Sequence, residues 1–455
     1  MTLADLNDAY TRDEKRILDD FFSFLRFESV SSEPAYQSQV VACFDWLRTY
    51  VERMGFATER WDTDRHPVLF ARLAVDPKKP TVLIYNHYDV QPVDPLSLWE
   101  SPPFAPTVRD GEIYARGAQD NKGQCFYVLT ALRKLIESAG RLPVNIKLCI
   151  EGEEEIGSPG LAKLLEAKRE DLRADHLFIV DLGFHSPAKP AVTLGLRGLV
   201  AMTVELTGSS TDMHSGSHGG VVVNPNHALI GLLSKLRNDA GQILVPGFYD
   251  QVTAPLPDER QKINFAFNDS EYHRNFGADP VGGEHGYSPL ERAWVRPTLE
   301  INGIGGGYSG AGFKTVIPAK AIAKISCRLV PNQDPNHIGD LVAQFLRDNA
   351  PAGVHITVDV HPGVGQAVRT TSNTRVVKAV SQAYAEVTGR TCEYILEGAS
   401  IPVVVELARI SGGDLALMGY GLPDDRIHAP NEHFGIERLR KGYLTIARSL
   451  QLLGS

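Results

Sequence analysis

Apolar residues along this chain fall into two kinds of pattern. Short unbroken runs alternate with stretches of helical spacing over roughly the first 195 residues. Ile17, Leu18, Phe21, Phe22 and Leu25 recur at the three-to-four spacing of an amphipathic helix, with Thr11 and Glu14 placed as a capping box ahead of them. Thr81–Tyr85 predicts a buried strand ending at Asn86-His87. Cys125–Ile136 predicts a helix with Val128, Leu129, Leu132 and Leu135 inward. Val144–Ile150 predicts a second strand that runs into the acidic stretch 151–155, and Leu177–Val180 a third that ends at Asp181. Buried strands alternating with helices imply an α/β sheet, largely parallel and flanked by helices.

From about Leu199 the pattern changes. Leu199–Leu206 alternates like a half-buried strand, and His227–Arg237 is spaced as a helix. After a Gly- and Pro-rich passage come strands at Pro297–Ile301 and Ala321–Val330, a helix at Ile338–Arg347 and a strand at Val354–His361. The order β-α-β-β-α-β is that of a ferredoxin-like α+β unit. Helical spacing resumes at Thr374–Thr388, followed by an apolar run at Leu415–Tyr420 and a helix to Leu453. The simplest organisation is one domain inserted into another: residues 1–195 and 363–455 form the first, and 196–362 the second. No internal repeat is visible.

Composition narrows the class of function. The chain has 455 residues, 43% of them hydrophobic, with 46 Lys and Arg against 55 Asp and Glu, a net charge of −9. An acidic balance argues against nucleic acid as a partner, because neutralising phosphates needs a basic surface. No apolar run approaches the roughly 18 residues of a membrane helix, and the first residues lack the basic-then-apolar order of a signal peptide. Cys43, Cys125, Cys149, Cys327 and Cys392 are scattered, odd in number and never in C-x-x-C spacing, as expected of reduced thiols in a cytoplasmic protein.

Three ligand-type groups stand just beyond the C-terminal ends of the three predicted strands: His87, the cluster 151–155 and Asp181. That is where open α/β sheets bind ligands. Asp89, two residues past His87, is placed to accept the imidazole's other N–H and hold its orientation. Asp120 lies in Arg116-Gly-Ala-Gln-Asp120-Asn-Lys-Gly123, just before a helix. Any one fragment is ordinary, since a His-x-Asp or an acidic run is commonly solvated surface. Their joint placement at strand ends points to a metal site.

Asn86-His87-Tyr-Asp89-Val-Gln-Pro, the 116–123 stretch and Glu151-Gly-Glu-Glu-Glu155-Ile-Gly-Ser158 resemble, in order and over nearly the whole chain, the dinuclear metallo-amidohydrolases. That family includes aminoacylases, glutamate carboxypeptidases, succinyl-diaminopimelate desuccinylases and carnosinase-type dipeptidases. The resemblance implies a zinc-exopeptidase-like catalytic domain with an inserted lid and dimerisation domain. It also implies two metal ions bridged by Asp120, with His87 and Asp181 completing one site and Glu155 and His428 the other. His428 sits in Arg426-Ile-His428-Ala-Pro-Asn-Glu432, similar to the family's late His-x-x-x-Glu segment. Imidazole and carboxylate donors suit Zn²⁺ and also admit Mn²⁺ or Co²⁺. Two ions about 3.5–4 Å apart would activate a bridging water and polarise the scissile carbonyl. Glu154 matches the family's general base, leaving Glu151 and Glu153 as spectators. Asp181 is shared with the dipeptidase-like members; other relatives carry Glu there.

In the inserted segment, Thr211-Asp-Met-His214-Ser-Gly216 resembles the lid histidine, which in dimeric members binds the oxyanion from the partner subunit. Lys314-Thr315 and Ser326-Cys-Arg328 look like the carnosinase-type branch, where Arg328 would bind a substrate carboxylate with help from Thr315. Glu397-Gly-Ala-Ser400-Ile-Pro402 resembles that branch's substrate loop, with Ser400 on the carboxylate and Glu397 on the ammonium group. Asn86 stands where many relatives have Gly, and Ala399 where the dipeptidases more often have Gly. Gly305-Gly-Gly307-Tyr-Ser-Gly310 satisfies a dinucleotide fingerprint, but nothing after it reads as a helix, so nucleotide binding is set aside. The expectation is a cytoplasmic, homodimeric hydrolase of dipeptides or short peptides. An N-acyl-amino-acid deacylase or carboxypeptidase with the same site is the alternative. A catalytically inactive scaffold would have lost a ligand or the base, and none is missing.

Overall fold

The unbroken apolar runs become strands covered on both faces. The structure, a computed structural model, describes residues 1–184, 186–253, 267–361, 365–398 and 401–455. It divides into two compact units: one of Met1–Gly195, Thr370–Ile395 and Val403–Ser455, the other of Leu196–Arg369 and Leu396–Pro402.

In the first unit the sheet order is Ala57–Trp61, Val68–Leu73, Asn145–Glu151, Thr81–His87, His176–Gly183, Asp414–Gly421 and Ala191–Leu196. The four strands from Asn145–Glu151 to Asp414–Gly421 are mutually parallel, and antiparallel strands flank them. Six of the seven residues of Thr81–His87 are buried, which is why that run reads as continuously apolar. Helices Leu3–Leu25, Lys122–Ala139 and Ile436–Gly454 contact one another, and Arg375–Thr388 packs on the last of them. Phe21 stacks on Phe126 at 5.1 Å, and Tyr10 meets Tyr443 at 5.3 Å.

The first helix starts well before Thr11. Its cap is Thr2, whose hydroxyl accepts from Asp5 N–H while Asp5 accepts from Thr2 N–H, and Thr11 lies inside the helix donating to Asn7 O. The chain offers two capping signals, and the earlier one wins because Leu6, Ala9 and Tyr10 extend the buried stripe of Ile17 and Phe21.

The second unit is a four-stranded antiparallel sheet in the order Thr298–Gly306, Lys320–Leu329, Gly198–Thr207, His355–Val360. Buried and half-buried residues alternate strictly along Gly198–Thr207. One face carries Val200, Met202, Val204, Ile325 and Cys327 into a core shared with helices Pro225–Leu233 and Pro335–Asp348. The four strands and two helices have the ferredoxin-like order. Gly305 and Gly306 belong to the edge strand, and Val316–Ile317 then pairs with Met213–His214. Among the described residues no helix is long and apolar enough to cross a membrane, and all five cysteines are free and buried.

Candidate metal centre

Three adjacent parallel strands deliver the first ligand-type groups. Thr81–His87 lies between Asn145–Glu151 and His176–Gly183, so His87, Asp181 and the turn Glu154–Ile156 converge at the C-terminal ends of these strands. Asp120 arrives on the loop that opens helix Lys122–Ala139. His87 Nδ1 donates to Asp89, 3.2 Å from its carbonyl and 3.3 Å from Oδ1, which turns Nε2 towards Asp120 Oδ1 at 3.1 Å. Asp181 Oδ1 is 3.7 Å and Glu154 Oε2 3.9 Å from the same nitrogen. On the other side, His428 Nε2 is 3.0 Å from Asp120 Oδ2 and 3.2 Å from Glu155 Oε2.

Asp120 therefore presents one oxygen to each histidine. Two groups result, His87–Asp120–Asp181 and Asp120–Glu155–His428, and within each the donor atoms lie within 4.8 Å of one another. Both offer only imidazole nitrogen and carboxylate oxygen, a set that fits borderline divalent ions.

The electrostatics match so dense a group. Burial raises the pKa of Glu154, and the charges of Asp181, Glu155 and Asp120 push it further against the opposing pull of His87. Burial and Asp120 bring Glu155 up to about 7. Hydrogen bonds to Asp120 and Glu155 lift His428 to about 10. His87 stays well above the usual imidazole range although burial opposes this, because Asp181, Asp120 and Asp89 surround it. Burial alone would raise Asp120, but its bonds to the two histidines hold it well below the usual carboxylate range.

The supporting groups come from distant parts of the chain. Glu432, fully buried, accepts from Arg116 Nη1 and Gly117 N–H at 2.8 Å on one oxygen and from Gln119 and Asp120 N–H at 3.0 Å on the other. It fixes the backbone of the Asp120 loop from the segment that carries His428. That segment turns tightly, with φ of 57° at Arg426, 59° at His428 and 65° at Asn431. A small sheet of His433–Gly435, Glu112–Tyr114 and Thr107–Arg109 anchors its end. Asp89 also accepts from the backbone N–H groups of Glu154 and Glu155, at 3.2 and 3.1 Å. Gln91 Nε2 donates to Glu155 Oε2 at 2.8 Å.

Glu151 and Glu153 are more than spectators. Glu153 is buried and accepts from Thr63 Oγ1, His66 N–H and Gly160 N–H, so it bolts the turn carrying Glu154 to two other segments. Glu151 accepts from Tyr85 and Ser158 hydroxyls at 2.7 and 2.8 Å, and burial pushes its pKa up to about 8. The acidic run holds both site groups and structural bolts, and composition alone does not separate them.

The substrate-binding candidates fall in the second unit. His214 Nδ1 accepts from Gly216 N–H, and Nε2 lies 3.2 Å from Thr315 Oγ1. Burial lowers the Arg328 pKa while the Glu397 carboxylate opposes it. Burial and the charge of Arg328 bring Arg197 down to about 10, and Arg197 Nε donates to Gly398 O. The structure thus pairs His214 with Thr315 and groups Arg328 with Glu397 and Arg197. Ser400 and Ala399 lie outside the described residues.

A Cys-Gly metallodipeptidase of Schizosaccharomyces pombe is 32% identical over 449 residues, spanning 91% of this chain and 90% of its own length. The Beta-Ala-His dipeptidase of Homo sapiens is 35% identical over 377 residues, 80% of this chain and 73% of its own. The solved structure of an M20 family metallo-carboxypeptidase from Sulfolobus solfataricus superposes with a TM-score of 0.87 at 33% identity, over 96% of this chain and 99% of that one. The family model for peptidase family M20/M25/M40 matches residues 83–452, and the chain belongs to that family.

Proposed function

We propose that this protein is a dinuclear metallodipeptidase that hydrolyses the amide bond of dipeptides or short peptides. The observation that carries the reading is the pair of ligand groups sharing Asp120, with Glu154 beside them. Likeness to a Cys-Gly metallodipeptidase and to a Beta-Ala-His dipeptidase over most of the chain supports the substrate class. His87, Asp120 and Asp181 would hold one ion, and Asp120, Glu155 and His428 the other. Zn²⁺ fits the donors best, with Mn²⁺ or Co²⁺ as substitutes. When bound, such ions supply Lewis acidity that polarises a carbonyl and makes a water acidic enough to ionise near neutral pH.

The chain's own residues carry the proton. Glu154 accepts it from the attacking water and returns it to the leaving amine. Glu154 Oε2, 3.9 Å from His87 Nε2, stands beside the ligand groups without belonging to either, where one carboxylate can serve both halves of that exchange. Asp89 keeps His87 Nδ1 occupied and so leaves Nε2 for the ion. In the second unit, proposed as a lid spanning residues 196–362, His214 and Thr315 would bind the developing oxyanion and the substrate. Arg328 and Ser400 would take the terminal carboxylate, and Glu397 the ammonium group.

We infer a homodimer formed through this unit. The edge strand Thr298–Gly306 has no outer neighbour among the described residues, and Val221, Ile230 and Ile304 are 77%, 58% and 59% exposed. Five unpaired, buried cysteines support a cytoplasmic location.

The test compares amino-acid release from matched free and N-acetylated dipeptides by stripped enzyme reloaded with Zn²⁺ or Mn²⁺. Cleavage confined to the free dipeptides is expected. Preference for the acetylated partner would make the enzyme a deacylase or a carboxypeptidase, the latter being the activity named for the Sulfolobus structure. Absence of metal-dependent cleavage of either would overturn the reading.

A further inference from the structure

Between the ends of strands Thr81–His87 and His176–Gly183 lie two buried amides that the catalytic reading does not use. The two strands pair as far as Tyr85 and Ile179. One residue further on, the carbonyl of Val180 accepts from Asn86 Nδ2 at 2.8 Å and from Asn121 Nδ2 at 2.9 Å. Asn121 Oδ1 accepts from Asn86 Nδ2 at 2.7 Å and from the backbone N–H of His87 at 3.4 Å. The second hydrogen of Asn121 Nδ2 goes to Asp181 Oδ1 at 2.6 Å. Asn121 thus uses two acceptor positions and both donor hydrogens, and neither asparagine is exposed.

We propose that Asn86 and Asn121 form a neutral clamp that positions His87 and Asp181 and selectively sets the metal affinity of that group. The inference rests on the dinuclear reading above. Its physical basis is a conflict among charges: Asp120, Asp181 and Glu154 crowd one imidazole, and mutual repulsion favours rotation of the Asp181 carboxylate away from the others. A cation would hold Asp181 in place but compete electrostatically with the ion. A third carboxylate would add to the repulsion. An amide donor restrains the carboxylate without changing the charge, and its oxygen restrains the His87 backbone in the same stroke. Asn86, where the resemblance leads one to expect Gly, completes the clamp by fixing Asn121. The other group does not share it: Glu155 is held by Gln91, and His428 stands on its own loop.

The readout is metal binding to stripped protein, measured by calorimetric titration with Zn²⁺ and by metal content after dialysis at fixed free Zn²⁺. Wild type is expected to take up two ions. Asn121→Ala should keep one at wild-type affinity and weaken the other 10- to 100-fold, the usual cost of losing a group that orients a ligand. Asn86→Gly retains the Asn121–Asp181 bond and should weaken the same ion by less. In a His428→Ala background, where the His87–Asp120–Asp181 ion alone remains, adding Asn121→Ala should lower its affinity by the same 10- to 100-fold factor. Equal weakening of both ions would reduce the asparagines to general structural supports, and unchanged affinities would likewise overturn the clamp. Should Asn121→Ala fail to fold, as judged by circular dichroism, Asn86→Gly decides by the same criteria. Failure of wild type to bind two ions would sink the dinuclear reading itself, a distinct result.

Discussion

Glu154 and Glu155 are adjacent in the chain and divide their work by direction. Glu155 Oε2 faces His428 at 3.2 Å, whereas Glu154 Oε2 lies towards His87 at 3.9 Å. Replacing Glu154 by Gln keeps the shape and removes the proton acceptor. Turnover should fall by about 10²- to 10⁴-fold, the usual worth of a positioned general base, with two ions still bound by elemental analysis. Loss of an ion instead would reassign Glu154 as a ligand. His87, Asp181 and the acidic run stand out in the sequence because the sheet restricts where ligands stand, at strand ends. The bridging role of Asp120, the choice of Glu155 within the run and His428 on its loop come instead from the resemblance to the family. Their supports do not stand out. Glu432 acts on backbone N–H groups more than 300 positions away in the chain, and Glu153 on two other segments. Bonds to backbone carry no residue signature at the receiving end, so no local pattern announces them. Asn86 was visible as a departure from the family, but its partner Asn121 emerges only once the two strand ends and the Asp120 loop meet.

At the scale of elements, unbroken or alternating apolar runs mark the central strands, since burial on two faces or one leaves a direct imprint on the residue pattern. The flanking strands Ala57–Trp61, Val68–Leu73 and Ala191–Leu196 are not among those the pattern predicts. The capping motif at Thr11 points to a start the first helix does not have, because such a motif inside a helix looks the same as one at its end; only the packing of Leu6, Ala9 and Tyr10 decides. Helix-to-helix distance is also invisible in a single segment. Gly442, in the helix Ile436–Gly454, lets that helix approach Lys122–Ala139 so closely that a Cβ there would sit 2.5 Å from the Tyr127 ring. Helix propensity alone would make Gly442→Ala stabilising by about 1 kcal/mol. The clash with a buried ring works against it, at the roughly 1–3 kcal/mol of an overpacked core. We expect packing to win, with a net loss of about 1 kcal/mol in urea denaturation. A gain would show that Tyr127 yields freely.

For the whole molecule, the −9 charge is concentrated in meaning at one place, where Asp120, Asp181, Glu154 and Glu155 face two imidazoles. In metal-free protein these groups stabilise one another through protons. His428, raised from 6.5 to about 10 by Asp120 and Glu155, favours its charged form when folded; that contribution is complete below about pH 6.5 and is lost as pH rises through 10. Glu155, raised from 4.5 to about 7 chiefly by burial, favours its neutral form; its contribution is lost as pH climbs from 4.5 through 7. The lowered pKa of Asp120 contributes above 3.8 and is constant across this window. Both changing terms have the same sign, so stripped protein should melt at progressively lower temperature between pH 6 and pH 9. Bound ions replace the protons, and binding strengthens as proton competition fades. Saturating Zn²⁺ then adds stability in proportion to the logarithm of its excess over the dissociation constant. The gap in Tm between loaded and stripped protein should therefore widen steadily with pH, measured by thermal unfolding in matched buffers. A gap that stayed constant or narrowed would mean that the ions do not displace these protons, and that the groups centred on Asp120 are an ion-pair network rather than a metal site.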